Sequence, residues 1–457
     1  MSVNPQIFRE YDIRGVVPRD LAGPVPELIG RAFGSELRGR HGGAPGLRVV
    51  VGRDNRPSSP DLAEGVIRGL QAAGVDVIDV GTVPTPALYF AAVRLGTDGG
   101  IQITGSHNPP EYNGFKLIID GRALYGPAIQ RLRERIERQE FEVGAGSLER
   151  HDILPEYVAD ITGRFSLQRP LRVVVDCGNG TGSLVAVRIL EGIGADVVPL
   201  YCESDGTFPN HHPDPVVDEN LADLIERVRA EDAALGVAFD GDADRIGAVD
   251  ETGAIIRGDI LLLLYGLDLL ERRGPGQKLV FDVKCSQAVP EVFAARGGEP
   301  IMWKTGHSLI KEKMRETGAP IAGELSGHVC FADDYYGFDD ALYAACRLVD
   351  LVARADRPLS SLVAEFPSYV STPEIRVDVP EERKFDIVAA AVRDFSQSHE
   401  VISVDGARVL FPQGWGLLRA SNTQPVLVLR YEARSPEALA EIRATMERWL
   451  REQGVDV

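Results

Sequence analysis

Arg48-Val-Val-Val-Gly-Arg-Asp54 is answered twice further along the chain, by Arg172-Val-Val-Val-Asp176 and Lys278-Leu-Val-Phe-Asp282. Each is a short apolar run, rich in β-branched residues, that closes on aspartate. A strand covered on both faces reads this way, because neither face needs a polar residue until the chain turns. Helical periodicity follows, as in Pro60 to Ala73 and Leu184 to Ile193. A second strand then enters through glycine: Gly74-Val-Asp-Val-Ile78, Gly194-Ala-Asp-Val-Val198 and Gly298-Glu-Pro-Ile-Met-Trp303. A third strand ends each time in a polar loop. The three loops are Thr104-Gly-Ser-His-Asn-Pro109, Asp240-Gly-Asp-Ala-Asp-Arg245 and Gly323-Glu-Leu-Ser-Gly-His328. Strand, helix, strand with apolar strands predicts three related α/β units with mostly parallel sheets. Ligands gather beyond the carboxyl ends of such strands, so each copy offers one loop of chemistry from an equivalent place.

From about Pro367 the pattern changes to strand-like stretches (Glu374 to Val379, Arg408 to Phe411, Val426 to Ala433) between helical ones (Arg383 to Ser396, Pro436 to Arg451). That predicts a smaller α+β unit with an antiparallel sheet. The expected domains are residues 1–151, 152–254, 255–366 and 367–457.

The 457 residues are 44% hydrophobic and 26% charged, the proportions of a folded globular chain. A net charge of −19 repels phosphate backbones and anionic lipid, so neither nucleic acid nor a membrane is expected as a partner. The longest apolar run, Ile260 to Leu267, is about half the roughly 20 residues of a membrane span. No signal peptide is read at the start. Five scattered cysteines without a C-x-x-C motif read as buried or incidental thiols, and the expected location is the cytoplasm.

Asp240, Asp242 and Asp244 alternate with Gly241 and Ala243, small spacers that let the backbone curl until three carboxylates converge. Three like charges that close need a cation among them. Oxygen ligands without His or Cys point to Mg²⁺ or Ca²⁺, and a lean site with open coordination places suits Mg²⁺ and a phosphoryl oxygen. An EF-hand is disfavoured, since Arg245 fills the position that needs glycine and Leu235 to Phe239 reads as a strand. Arg245, directly after the ligands, would then hold the same phosphate or the substrate.

Ser106, between Gly105 and His107, lacks the G-x-S-x-G spacing of an acyl-transfer elbow. The alternative is a serine that carries phosphate, with Lys116 as point charge or proton carrier. Taken alone, the stretch also reads as an Asn-Pro turn. On an extended segment Glu324, Ser326 and His328 would point the same way and suit adjacent sugar hydroxyls; alone, they read as a solvated strand edge. Arg419-Ala-Ser-Asn-Thr-Gln-Pro425 combines a guanidinium fork with hydroxyl and amide donors, a phosphate cradle. Arg14, Lys284 and His307 are further donors near motifs. Gly178-Asn-Gly-Thr-Gly182 fails as a dinucleotide fingerprint, because Ser183 occupies the slot of the third glycine.

With Phe8-Arg-Glu-Tyr-Asp-Ile-Arg-Gly15, these motifs stand in the order and spacing of the α-D-phosphohexomutase superfamily, which the sequence resembles over essentially its whole length. The Gly-Glu-Leu-Ser-Gly-His form looks most like the bacterial phosphomannomutase/phosphoglucomutase branch. The resemblance implies three related α/β domains and a smaller α+β C-terminal domain around a central cleft. It implies a phosphoserine at Ser106 and Mg²⁺ held by Asp240, Asp242, Asp244 and that phosphoryl group. Catalytic candidates are Ser106, His107, Lys116, Arg14, Arg245 and His328, with the proton carrier open among Lys116, Arg14 and His328. Glu324 and Ser326 would read sugar hydroxyls. Arg419, Ser421, Asn422 and Thr423 would grip the non-reacting phosphate, and Tyr11, Lys284 and His307 would line the cleft. The implied reaction interconverts hexose 1-phosphate and hexose 6-phosphate, of mannose, glucose or both, with a hexose 1,6-bisphosphate as intermediate and activator. A monomer or weak homodimer is expected. The alternatives are a phosphoglucosamine mutase and a non-catalytic sugar-phosphate-binding protein. Ala243 departs from the glycine that relatives often carry; its methyl is expected to be tolerated if the backbone torsion is ordinary, so the departure bears only on loop geometry.

Overall fold

The computed structural model describes residues 3–421 and 424–457. They fall into two compact units, Met1–Gly258 with Ser326–Ser360, and Asp259–Leu325 with Ser361–Val457.

In the first unit the strand Arg48–Arg53 runs parallel to Asp76–Thr82 on one side and Gly99–Ile103 on the other. The second copy repeats this, with Arg172–Asp176 between Asp196–Leu200 and Leu235–Phe239. Val49, Val50, Val51, Val173, Val174 and Val175 are all fully buried, which is why the runs carry no alternation. Each such side chain contributes roughly 1.5 kcal/mol or more by leaving water. The sheets are mixed. An antiparallel strand closes each third strand, Tyr112–Ile119 on Gly99–Ile103 and Ile246–Asp250 on Leu235–Phe239. These hairpins bring the polar loops back over the sheet edge.

Glycine plays a different part from the one expected. Gly74, Gly194 and Gly297 sit at φ 78°, 104° and 86° and end helices, since a left-handed residue caps the last turn without a Cβ clash. The strands begin later, at Asp76, Asp196 and Glu299. The stretch Leu184 to Ile193 opens with a 3₁₀ turn, Thr181–Leu184, before the helix Ala186–Gly192.

In the second unit Lys278–Asp282 again lies parallel between Glu299–Trp303 and Ile321–Gly323. The C-terminal α+β part has Ala407–Phe411, Gly414–Ala420 and Val426–Ala433 as its middle strands, with only antiparallel pairings described. The helices Lys384–Phe395 and Pro436–Glu452 supply Ile387, Ala391, Ile442, Met446 and Leu450 to its core. Arg408, fully buried, ties the two parts of this unit together. It donates to Val283 O at 2.6 Å and Cys285 O at 2.8 Å and stacks 3.8 Å above the Trp415 ring. No described helix is long and apolar enough to cross a membrane.

Candidate active site

The two loops of the first unit that carry chemistry both leave carboxyl ends of third strands. They meet at Ser106, whose hydroxyl donates to Asp240 Oδ2 at 2.8 Å across 134 positions of sequence. Ser106 is buried at φ 49°, its N–H on Thr104 Oγ1 at 2.8 Å and its oxygen 3.2 Å from His107 Nδ1. A left-handed serine needs over-determining neighbours, and Arg56 is one. Its guanidinium, wholly out of solvent, donates to Ser106 O at 2.7 Å, Asn108 O at 2.6 Å and Pro109 O at 2.6 Å. Asp54, closing the first strand, anchors that guanidinium at 3.0 Å and accepts Gly105 N–H at 3.0 Å. A Cβ on Gly105 would lie 2.4 Å from Arg56 Nε, so only glycine passes there. The third repeat copies the device, with Leu325 N–H donating to Asp282 at 3.0 Å.

Asp240, Asp242 and Asp244 are fully buried, and one oxygen from each lies within 4.8 Å of the others. Lys116 Nζ lies 2.6 Å from Asp242 Oδ2 and also bonds Asp244. Thr85 donates its hydroxyl to Asp242 and its N–H to Asp242 O at 2.9 Å. One ammonium against three carboxylates leaves this cluster short of positive charge. Burial and the carboxylates of Asp242 and Asp244 accordingly push Asp240 well above the usual range. Burial opposes the charge on Lys116, but the three aspartates outweigh it and hold the ammonium above its ordinary value. Burial likewise opposes ionised Asp242, yet Lys116 draws that carboxyl far down. Asp242 Oδ1 and Asp244 Oδ1 are buried without a hydrogen-bond partner. Hard oxygens, a charge deficit and two orphaned acceptors fit a divalent cation.

Ala243 does not meet the condition of an ordinary torsion. Its φ is 58°, the left-handed region, with the methyl fully buried. The curl that converges the aspartates therefore runs through a strained alanine, at about 1–2 kcal/mol, and not an ordinary torsion. Asp240 Oδ1 closes the curl by accepting the N–H groups of Asp244 at 3.1 Å and Arg245 at 3.2 Å.

Arg245 Nε donates to His328 Nε2 at 3.0 Å. Because arginine cannot accept, the His328 proton belongs on Nδ1, which faces Asp339 Oδ2 at 3.0 Å and Asp244 Oδ1 at 3.7 Å. Arg14 enters on the strand Ile13–Val16 and donates to Gly105 O at 3.2 Å, with Asp12 at 2.5 Å. Burial, followed by Arg245 and Arg14, pushes the His107 imidazole well below its ordinary value. Tyr11 is half-buried on the bend before that strand.

The third loop is not extended. Residues 325–327 turn, with Gly327 at φ 89°, so Glu324, Ser326 and His328 do not share one extended segment. His328 and half-buried Ser326 belong to the first unit; Glu324 belongs to the second and accepts Gly306 N–H at 2.6 Å. Gly306, at φ 127°, opens the helix His307–Thr317. Thr305 N–H donates to Asp405 at 3.0 Å, and Asp405 also takes Arg419 Nε at 3.1 Å and Nη2 at 3.0 Å. Glu324, the segment before His307 and Arg419 are thus one hydrogen-bonded chain within the second unit. Lys284 pairs with Glu374 at 3.3 Å. Lys384 donates to the carbonyl of buried Ser421 at 2.7 Å and to Gln424 O at 3.1 Å. Asn422 and Thr423 lie outside the described residues. Arg56, Thr85, Asp339, Asp405 and Lys384 escaped the sequence reading. Of these only Arg56, two residues beyond a strand-closing aspartate, carried a local signal.

A duplicated α/β scaffold that sets a serine against a buried acidic trio is the architecture of the phosphohexose mutases. Family models for phosphoglucomutase/phosphomannomutase match in order, the alpha/beta/alpha domains I, II and III over residues 5–143, 155–253 and 257–369 and the C-terminal domain over 374–448. The chain belongs to the phosphoglucomutase/phosphomannomutase family. It is 50% identical over 446 residues to the phosphomannomutase/phosphoglucomutase of Pseudomonas aeruginosa, covering 97% of this chain and 95% of that one. It is 45% identical to the phosphoglucomutase of Neisseria gonorrhoeae, covering 97% and 96%. A crystal structure of a phosphoglucomutase/phosphomannomutase family protein from Burkholderia thailandensis superposes with a TM-score of 0.93 at 48% identity, covering 99% of each chain.

Proposed function

We propose that the protein interconverts hexose 1-phosphate and hexose 6-phosphate through a phosphoserine at Ser106 and a hexose 1,6-bisphosphate. One observation carries this reading: a strained, buried serine hydroxyl 2.8 Å from an acidic trio short of positive charge. Phospho-Ser106 gives its phosphoryl group to the free hydroxyl of the sugar phosphate. The serine O–P bond breaks, a sugar O–P bond forms, and the hydroxyl proton leaves to a base. After the bisphosphate turns end for end, its other phosphate returns to Ser106. Asp240, Asp242, Asp244 and the phosphoryl group on Ser106 would hold Mg²⁺, which when bound supplies positive charge to the transferring group.

The chain's own groups do the rest. Lys116 stays an ammonium among carboxylates and serves as charge. Arg14 brings its guanidinium to the serine loop, and Arg245, next to the metal trio, sets its guanidinium against His328. Of the three proton-carrier candidates, His328 presents a ring nitrogen that already accepts a hydrogen bond. In the second unit Arg419, Ser421, Asn422 and Thr423 grip the non-reacting phosphate, at roughly 1.5–3 kcal/mol per charged hydrogen bond. Glu324 and Ser326 read sugar hydroxyls, and Tyr11, Lys284 and His307 complete the substrate contacts.

Mannose and glucose differ only at C2, and no assigned residue reads C2, so both sugars are turned over. A coupled assay offering mannose, glucose and glucosamine phosphates, with Mg²⁺ and a trace of hexose 1,6-bisphosphate as activator, tests this. Dominant turnover of glucosamine 6-phosphate would instead indicate a phosphoglucosamine mutase. Intact mass should show one phosphate that Ser106→Ala removes, with turnover lower by at least about a thousandfold. Full activity in that variant would sink the phosphoserine route.

A further inference from the structure

Two thiols of the second repeat take no part in the chemistry above. Cys177 follows the strand Arg172–Asp176, Cys202 follows its parallel neighbour Asp196–Leu200, and their sulfurs stand 3.0 Å apart. Backbone geometry forces the meeting. Tyr201, at φ 50°, turns the chain so that Cys202 Sγ reaches back to Val175 O at 3.4 Å and Leu200 O at 3.3 Å. Cys177 N–H bonds the same Leu200 O at 3.1 Å. Cys177 is fully buried and Cys202 half-buried, the one cysteine of the five that is not buried.

We propose that Cys177 and Cys202 are a dithiol that a hydroperoxide converts reversibly into a disulfide, and that this bond switches off the phosphoryl-transfer site. Cys202 attacks one peroxide oxygen, the O–O bond breaks, and a sulfenic acid forms as water or an alcohol leaves. Cys177 sulfur then displaces the sulfenic oxygen as water and the S–S bond forms. Two thiols lose two hydrogens and the peroxide takes them up; a thiol reductant reverses the change. The division of labour follows the environment. The Cys177 hydrogen bond draws the Cys202 thiol down against its burial, whereas burial raises Cys177, the resolving partner.

The pair lies at the root of both catalytic loops. From Cys177 the chain runs to Thr181, whose N–H at 2.9 Å and hydroxyl at 3.2 Å hold Gly241 O, between two metal-trio aspartates. From Cys202 it runs to Ser204, which accepts Asn55 Nδ2 at 2.9 Å, and to Phe208, whose ring lies 5.0 Å from the Arg56 guanidinium. Arg56 in turn holds Ser106 O. Bond formation draws the sulfurs together by about 1 Å, and a misplacement of about 1 Å at a reacting centre can cost about a hundredfold in rate.

The switch rests on the mutase reading; the cross-link does not. Full-length protein with Mg²⁺ is treated with hydrogen peroxide, alkylated and mapped by peptide mass, with turnover followed in parallel. The expected result is one cross-linked peptide pair, Cys177 to Cys202, lighter by two hydrogens. Turnover drops about tenfold or more, and dithiothreitol restores both. Cys202→Ser and, independently, Cys177→Ala keep their turnover in peroxide. Over-oxidation of Cys202 without the cross-link overturns the dithiol. A cross-link with turnover unchanged, or variants that lose turnover equally, overturns the switch. Reduced protein without mutase turnover that still forms the cross-link places the failure in the mutase reading alone.

Discussion

Arg56 shows how much a single buried side chain can govern. Three carbonyls of the serine loop depend on one guanidinium, and lysine cannot reproduce a planar fork with five donors. Arg56→Lys should lower kcat about ten- to hundredfold with KM little changed, because the nucleophile shifts while the substrate contacts stay. Steady-state kinetics on glucose 1-phosphate decides it; a change confined to KM would contradict the assignment. Asp242 tests the metal side. Asp242→Asn removes a charge from a trio that already has orphaned oxygens, so the Mg²⁺ concentration for half-maximal rate should rise at least about tenfold. Chelation of the wild type should abolish turnover, and added Mg²⁺ should restore it. The strained torsions at Ser106 and Ala243 were invisible beforehand, since neither residue type announces a positive φ.

At the scale of elements, the helix Ala341–Ala355 begins on a carboxyl that titrates unusually. Asp340 caps it by accepting Tyr343 N–H at 2.9 Å, and also receives the hydroxyls of Tyr157 at 2.8 Å and Tyr335 at 2.7 Å. Burial, outweighing those donors, pushes its carboxyl up to about 6. An unfolded aspartate titrates near 3.9. The folded state holds the proton longer, so this stabilising contribution is complete below about pH 4 and lost as pH climbs through about 6. Relative to Asp340→Asn, the wild type should lose about 2 kcal/mol between pH 4 and pH 7. Urea unfolding of both proteins at the two pH values measures the difference; a constant gap would refute it. The repeats were readable at this scale because valine runs and closing aspartates recur at short range. The turn at 325–327 is not legible beforehand, because alternating polar residues describe a strand edge and a turn equally well.

For the whole molecule, two compact units imply two cooperative blocks. Arg408 is the bolt of the second, its guanidinium fully buried against Trp415 and the carbonyls of Val283 and Cys285. Arg408→Ala leaves those carbonyls unpaired and opens a cavity, at about 3–5 kcal/mol. Calorimetry should show a lowered transition that hydrogen exchange assigns to the second unit, with the two sheets of the first unit unaffected. Uniform loss of protection throughout the chain would show a single block instead.

Local pattern was enough for the three α/β copies, the antiparallel C-terminal part and the identity of the polar loops, because strand burial and helix periodicity are written within a few neighbouring residues. The meeting of Ser106 with Asp240 across 134 positions, the clamp of Arg56, the tautomer of His328 and the pairing of Cys177 with Cys202 came only with folding. Those contacts depend on strand order and crossover geometry, which bring remote carboxyl ends together and leave no mark in the spacing of residues along the chain.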